Sequence, residues 1–329
     1  MLVRKTRWIW PLLALGILFV VAVSLAVGRY ALSLNAVTGA IFYPQQNEMA
    51  SNIVLSVRLP RILLSLMVGA GLAISGACFQ GVFQNPLVSP DVLSVSSGAA
   101  FGAVLGIMTA NNSMINTLFA LAFGVISVFI TYSMAKIRGQ VTALSLVLSG
   151  IIISAFFNAL ISVMKYVADT ETQLPAITYW LLGSFASTTY QHIWTIVFPV
   201  FTGCAVLLVM GYKINILSLG DEEAQTLGIN PVRARIIVIM AATLITASCV
   251  TVTGIVGWVG LVIPHIARML MGPNHVRLLP TSMLIGAIFM AVVDLIARTV
   301  SPSEIPVGIL TALIGAPFFA VLFRQTQGE

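Results

Sequence analysis

Along the chain, apolar residues gather into ten runs, separated by short stretches that hold most of the charges and prolines. The runs fall at about 8–28, 53–79, 95–110, 115–135, 141–164, 191–212, 235–253, 256–271, 276–299 and 305–323. A helix needs about 20 mostly apolar residues to cross a hydrocarbon core of about 30 Å, so each run predicts one membrane span. The first follows Arg4, Lys5 and Arg7, as a secretory signal would, but its apolar stretch from Ile9 to Val27 outruns a signal core and reads as a retained helix. The eighth contains Pro264, which lacks a backbone donor and tends to kink or break a helix; without that span the count would be odd.

Composition agrees with the pattern. Of 329 residues, 59% are apolar and 8% charged, whereas a soluble domain carries roughly a quarter charged residues. The expected fold class is all-α: a polytopic membrane helical bundle of about ten transmembrane helices, one domain over residues 1–329, because helices satisfy their own backbone inside lipid. The net charge of +6 comes from basic residues scattered at span ends, which points to membrane topology and away from nucleic acid. With the N-terminus inside, Arg4, Lys5, Arg7, Lys136, Arg138, Lys213, Arg233, Arg235, Arg268, Arg277 and Arg324 face the cytoplasm, eleven of the sixteen Lys and Arg. Arg29, Arg58, Arg61, Lys165 and Arg298 face outward. That is the positive-inside asymmetry, and an even span count returns the C-terminus to the cytoplasm.

Little in the chain suggests catalysis. It has no GxxxxGK[ST] phosphate loop, no HExxH, no GxSxG and no paired intramembrane carboxylates, so no enzymatic activity, cofactor or metal is expected of this chain alone. Cys78, Cys204 and Cys249 sit inside apolar runs and read as packing residues. His265 and His275, with Pro273 between them, lack a helical ligand spacing. Asp294 is the one carboxylate deep in an apolar run, where an unpaired charge is costly; Arg298, four residues on, shares its helix face and offers an ion pair. Taken alone, Arg58 and Arg61 at the start of the second run and Arg298 at the end of the ninth are snorkelling residues at the outer surface. Gly98, Gly102 and Gly106, and likewise Gly69, Ala73, Ala77 and Gly81, form four-residue stripes that let helices approach closely.

The polar stretch at about 213–235 is longer than a connector requires. Asp221, Glu222 and Glu223 directly after Gly220 suit the positive N-terminal end of a short helix, and Gly228 and Pro231 suit its end and a new start. Ala224 and Leu227 are expected to present a small apolar face to water, a docking surface for a cytoplasmic partner.

This elbow resembles the coupling segment of the FecCD family of ABC importer permeases, the group that includes the iron-siderophore, haem and vitamin B12 permeases. Further matches follow in family order: Arg58-Leu59-Pro60-Arg61, Gly69 to Gly76, Gln84-Asn85-Pro86-Leu87 with Ser89-Pro90-Asp91, Gly257 to His265, Asp294 with Arg298, and Glu304 to Gly308 leading to Gly315-Ala316-Pro317-Phe318. The resemblance implies a type II ABC importer permease in the bacterial inner membrane, surrounded by lipid. It implies a homodimer forming the path, two ATP-binding subunits that use ATP and Mg beneath the elbows, and a periplasmic or lipoprotein substrate-binding protein outside. It implies ATPase coupling by Leu219, Gly220, Asp221, Glu222, Glu223, Ala224, Leu227, Gly228 and Pro231, and binding-protein docking by Arg58, Arg61 and Arg298. A cytoplasmic gate is implied near Thr142, Ala143 and Leu144, where an apolar constriction would close by dewetting. The implied cargo is a metal chelate, first of all a ferric siderophore, with haem, vitamin B12 and molybdate or tungstate carried on the same scaffold. A secondary transporter would place ionisable groups at the midplane, and a channel would repeat a polar pore motif; neither accounts for the elbow.

Overall fold

The computed structural model describes residues 8–110, 112–137 and 140–327. In chain order the helices are α1 (Ile9–Ala26), α2 (Leu34–Phe42), α3 (Glu48–Val82), α4 (Val95–Ala110), α5 (Ser113–Ala135), α6 (Ala143–Val167), α7 (Gln173–Leu182), α8 (Tyr190–Leu217), α9 (Asp221–Thr226), α10 (Pro231–Thr253), α11 (Val259–Met271), α12 (His275–Thr299) and α13 (Val307–Gln327). Seven of them, α1, α3, α5, α6, α8, α10 and α12, are long and apolar enough to cross a membrane, and α4, α11 and α13 are shorter apolar helices. Each of the ten apolar runs meets one of these ten, and the chain is an all-α, multi-pass membrane protein. Helices α2 and α7 lie between runs and were not expected. A two-residue antiparallel pair, Lys136–Ile137 with Gln140–Val141, is the only strand pairing among the described residues. Arg4, Lys5, Arg7 and Arg138, counted above for topology, lie outside the described residues.

Helix starts are set by polar side chains that give an oxygen to an otherwise unpaired N–H. Asn230 Oδ1 accepts from the Arg233 N–H at 3.0 Å before α10, and Asn274 Oδ1 accepts from the Val276 N–H at 3.0 Å before α12. Thr142 and Ser145 close a reciprocal capping box on α6. Pro264 does not break its helix: it sits within α11, which at 13 residues is one of the shorter apolar helices. The carbonyl of Gly260, left without its usual helical donor, packs against Gly76 of α3, where a Cβ would come within 2.6 Å of the Gly260 Cα. In α3 the segment Asn52–Arg58 widens into a π-helix just before Pro60, which has no N–H to continue the tighter ladder.

Packing is closest where glycines remove side chains. A Cβ on Gly69 of α3 would fall 2.7 Å from the carbonyl carbon of Gly286 on α12 and 2.8 Å from the Met290 Cβ, with the Gly286 oxygen nearer still. On α4, a Cβ on Gly106 would meet the Asn116 side chain of α5 at 2.7 Å. Both predicted stripes are therefore helix contacts. Polarity is inverted relative to a soluble protein. Phe129, Phe156, Trp194, Phe198 and Phe201 are exposed, while Ser65, Ser75, Thr246 and Thr281 are buried. Thr246 Oγ1 donates to the Ala242 carbonyl of its own helix at 2.8 Å, and Ser75 Oγ of α3 donates to the same carbonyl from the neighbouring helix at 3.5 Å, which removes the cost of an unpaired donor. All three cysteines are free and buried, as packing residues should be.

Candidate functional site

The residues singled out by sequence collect at opposite ends of the bundle. One end gathers the last turn of α1, the π segment of α3, the last turn of α12 and the loop before α13. Arg58, Arg61, Arg298 and Asp294 are all between 1% and 6% exposed there, so none is a snorkelling side chain. Arg58 donates to the carbonyls of Leu25, Ala26 and Tyr30, closing the C-terminal end of α1. Arg61 donates from Nε to Asp294 Oδ1 at 2.7 Å and from Nη1 to Glu304 Oε2 at 2.9 Å. Arg298 donates from Nη2 to the Ser24 carbonyl at 2.5 Å, and its Nε lies 3.8 Å from Asp294 Oδ2.

The expected Asp294–Arg298 pair is thus present, but the nearer partner is Arg61, from a helix more than two hundred residues away. Sequence spacing finds only neighbours on one helix. Arg29 lies 3.7 Å from Glu304 and is largely exposed. Arg29, Arg58, Arg61, Arg298 and Glu304 line a cavity of about 160 Å³ together with Gly28 and Tyr30. Four arginines, Arg29, Arg58, Arg61 and Arg298, oppose two acids, Asp294 and Glu304, leaving a formal surplus of +2. A partner presenting carboxylates would find complementary charge in this cleft.

At the other end, α9 is the predicted short helix, with Asp221, Glu222 and Glu223 in its first turn. Gly220 (φ +131°) and Gly228 (φ +78°) make the bends on either side, conformations that favour glycine, and Pro231 begins α10. One expectation is corrected. Ala224 does not face water: it is fully buried, with its carbonyl accepting from the Ile229 N–H at 2.9 Å. Only six residues are helical, so Leu227 sits past the helix end and turns outward, while Ala224 turns in. Between Leu219 and Pro231 the exposed large apolar residues are Leu219 and Leu227.

Two further residues at this end were not anticipated. Arg235, 7% exposed on α10, donates from Nη2 to Asp221 Oδ1 at 2.7 Å and from Nη1 to Oδ2 at 3.4 Å. Gln84 (φ +51°) donates from Nε2 to the Leu217 carbonyl at 3.0 Å, tying the end of α3 to the end of α8. An arginine at the start of an apolar run was the available signal for the first, and its place in the Gln84–Leu87 family motif for the second. A cavity of about 710 Å³ opens between the elbow, the end of α3 and the α5–α6 hairpin, lined among others by Lys136, Thr142, Asp221 and Arg235. Of the residues expected to form a gate, Thr142 caps α6, Leu144 is exposed, and the side chain of Ala143 lies outside the described residues.

Comparison with known proteins settles the class. The FecCD transport family matches residues 16–325. This chain belongs to the FecCD transport family. It is 41% identical over 96% of its length to the molybdate import system permease of Haemophilus influenzae, of which it covers 95%. It is 36% identical to an iron chelatin transport system permease of Helicobacter pylori, over 96% of this chain and 98% of that one. To the hemin transport system permease of Yersinia pestis it is 35% identical, over 96% and 97%. A solved chain from an inward-facing conformation, described as a metal-chelate type ABC transporter, superposes with a TM-score of 0.88 at 40% identity, covering 97% of this chain and 99% of that one. The FecCD chain described above is therefore an ABC importer permease, a class that works with ATPase and substrate-binding partners.

Proposed function

We propose that two copies of this permease line a path for a metal-containing cargo across the bacterial inner membrane. ATP and Mg are used by two separate ATP-binding subunits, and a periplasmic or lipoprotein binding protein delivers the cargo. The observation that carries this reading is α9, a six-residue helix bracketed by two glycine bends, with an acidic first turn and with Leu219 and Leu227 exposed beside it. Such a knob costs the fold exposed apolar surface and is accounted for by a protein partner. The elbow end, with both termini, then faces the cytoplasm and the arginine end faces outward. Carboxylates of the binding protein meet the positive cleft of Arg58, Arg61 and Arg298, and the gate is the segment Thr142, Ala143 and Leu144 beside the elbow cavity.

For the cargo, a ferric siderophore is the first reading, supported by the iron-chelatin relatives. Molybdate is the second, favoured by the 41% identity to a molybdate permease. Both are tested by reconstituting the permease with its ATPase and binding protein in vesicles and following labelled iron chelate and labelled molybdate. Uptake of molybdate alone replaces the first reading with the second. ATP-independent uptake, or uptake without the binding protein, overturns the importer reading itself.

A further inference from the structure

We propose that Arg235 is a positioning residue of the coupling step. Its ion pair with Asp221 fastens the elbow to α10, so that displacement of α9 is delivered to α10 and, through α5, to the hairpin that holds the gate segment. The proposal rests on the reading of α9 as the ATPase-coupling elbow.

The argument begins with how α9 is attached. It leaves and rejoins the bundle through Gly220 and Gly228, both at positive φ, where backbone rotation meets little steric resistance. Its side chains hold it to the rest of the protein in two ways. The Ala224 methyl packs into the core, and Asp221 pairs with Arg235 at 2.7 Å. A methyl contact resists being pushed and gives way when pulled. An ion pair with two hydrogen bonds resists both, and also resists sliding.

The pair is also asymmetric. Arg235 is buried on α10, and its Nε has no partner, so Asp221 supplies the only carboxylate that its guanidinium meets among the described residues. Asp221 is about half exposed and belongs to the movable elbow. Withdrawing it would strand a buried cation, which is strongly unfavourable. A load on α9 is therefore taken up by moving α10 before the pair separates.

From α10 the path continues by packing. A Cβ on Gly124 of α5 would lie 3.3 Å from the Ala247 Cβ of α10, so the two helices are in close contact. Helix α5 runs directly into the Lys136–Ile137 and Gln140–Val141 pair, and from there into Thr142. The large cavity lies between the elbow and this hairpin, with Asp221, Gln225 and Arg235 on one side and Lys136, Val141 and Thr142 on the other. The solid route from elbow to gate segment accordingly goes around the cavity, through α10.

The test uses the permease reconstituted with its ATPase and binding protein. Arg235→Gln is expected to keep the ATPase bound, because Arg235 is buried away from a docked partner, while cargo moved per ATP hydrolysed falls about tenfold, within the usual span of coupling changes. Arg235→Lys, which keeps the charge but not the two-pronged grip, falls between. Should Arg235→Gln fail to accumulate, Arg235→Lys supplies the ratio. The exchange Asp221→Arg with Arg235→Asp restores part of the ratio, as a direct pair requires. An unchanged cargo-to-ATP ratio in both single variants overturns the proposal, and so does a loss confined to protein yield that the exchange does not repair. Leu227→Arg separates the two levels. If it leaves the ATPase bound and transport intact, the elbow reading fails and takes this inference with it. If it releases the ATPase while the Arg235 variants behave as wild type, only the role of Arg235 is lost.

Discussion

Replacing Asp294 with alanine removes the carboxylate that joins α3 to α12 at the arginine end. In the wild type it accepts from Arg61 at 2.7 Å and lies 3.8 Å from Arg298. Without it, among the described residues, Arg61 keeps only Glu304 and Arg298 keeps only the Ser24 carbonyl. The formal surplus of the cluster rises from +2 to +3 in a site where three of the four arginines, Arg58, Arg61 and Arg298, are almost wholly buried. Breaking a buried pair in this way costs roughly 3–5 kcal/mol, far more than the few atoms deleted. For a chain of this size that predicts a fall in apparent melting temperature of roughly 4–7 °C. The three buried free cysteines provide the assay, because a thiol-reactive dye in detergent reports their exposure on heating. The paired change Arg61→Met with Asp294→Leu removes one charge of each sign and leaves the surplus at +2, so it should recover at least half of the loss. A melting temperature for Asp294→Ala within about 2 °C of wild type would refute the assignment of Asp294 as the counter-charge. So would a paired variant no better than the single one.

Gly69→Ala should lower the melting temperature by an amount equivalent to roughly 1–3 kcal/mol or more, since its Cβ collides with the Gly286 backbone; Gly39→Ala, where a Cβ meets nothing within 4 Å, should be neutral or slightly stabilising in the same assay. Leu227→Arg should release the ATPase from a normally melting permease, whereas Ala224→Arg should lower the melting temperature by burying a charge; co-purification and melting curves distinguish them. Arg58→Gln should slow capture of the binding protein at low salt by about tenfold and flatten its salt dependence, read by surface binding kinetics. An unchanged low-salt rate leaves Arg58 as a cap on α1 and nothing more.

Much of this protein was determined by local pattern. Ten runs of apolar residues favour helices, because lipid offers no partner to an unpaired peptide group, and every run meets a helix, seven of them long enough to cross a membrane. The caps at Asn230 and Asn274, the glycine bends around α9, its acidic first turn and the close α3 and α4 stripes also follow from residues within a turn or two of each other. The i,i+4 pair of Asp294 and Arg298 was legible for the same reason. What only the tertiary structure decided depends on residues far apart in the chain. Arg61 reaches Asp294 and Glu304 because α3 and α12 cross without side chains at Gly69 and Gly286. Arg58 turned from a surface charge into a cap on α1, and Gln84 joined α3 to α8. Ala224 turned inward because α9 stops after six residues, and Arg235 acquired Asp221 because the elbow folds back over the start of α10. Periodicity tells which residues share one helix face, but a buried charge takes its partner from whichever helix the packing brings within reach.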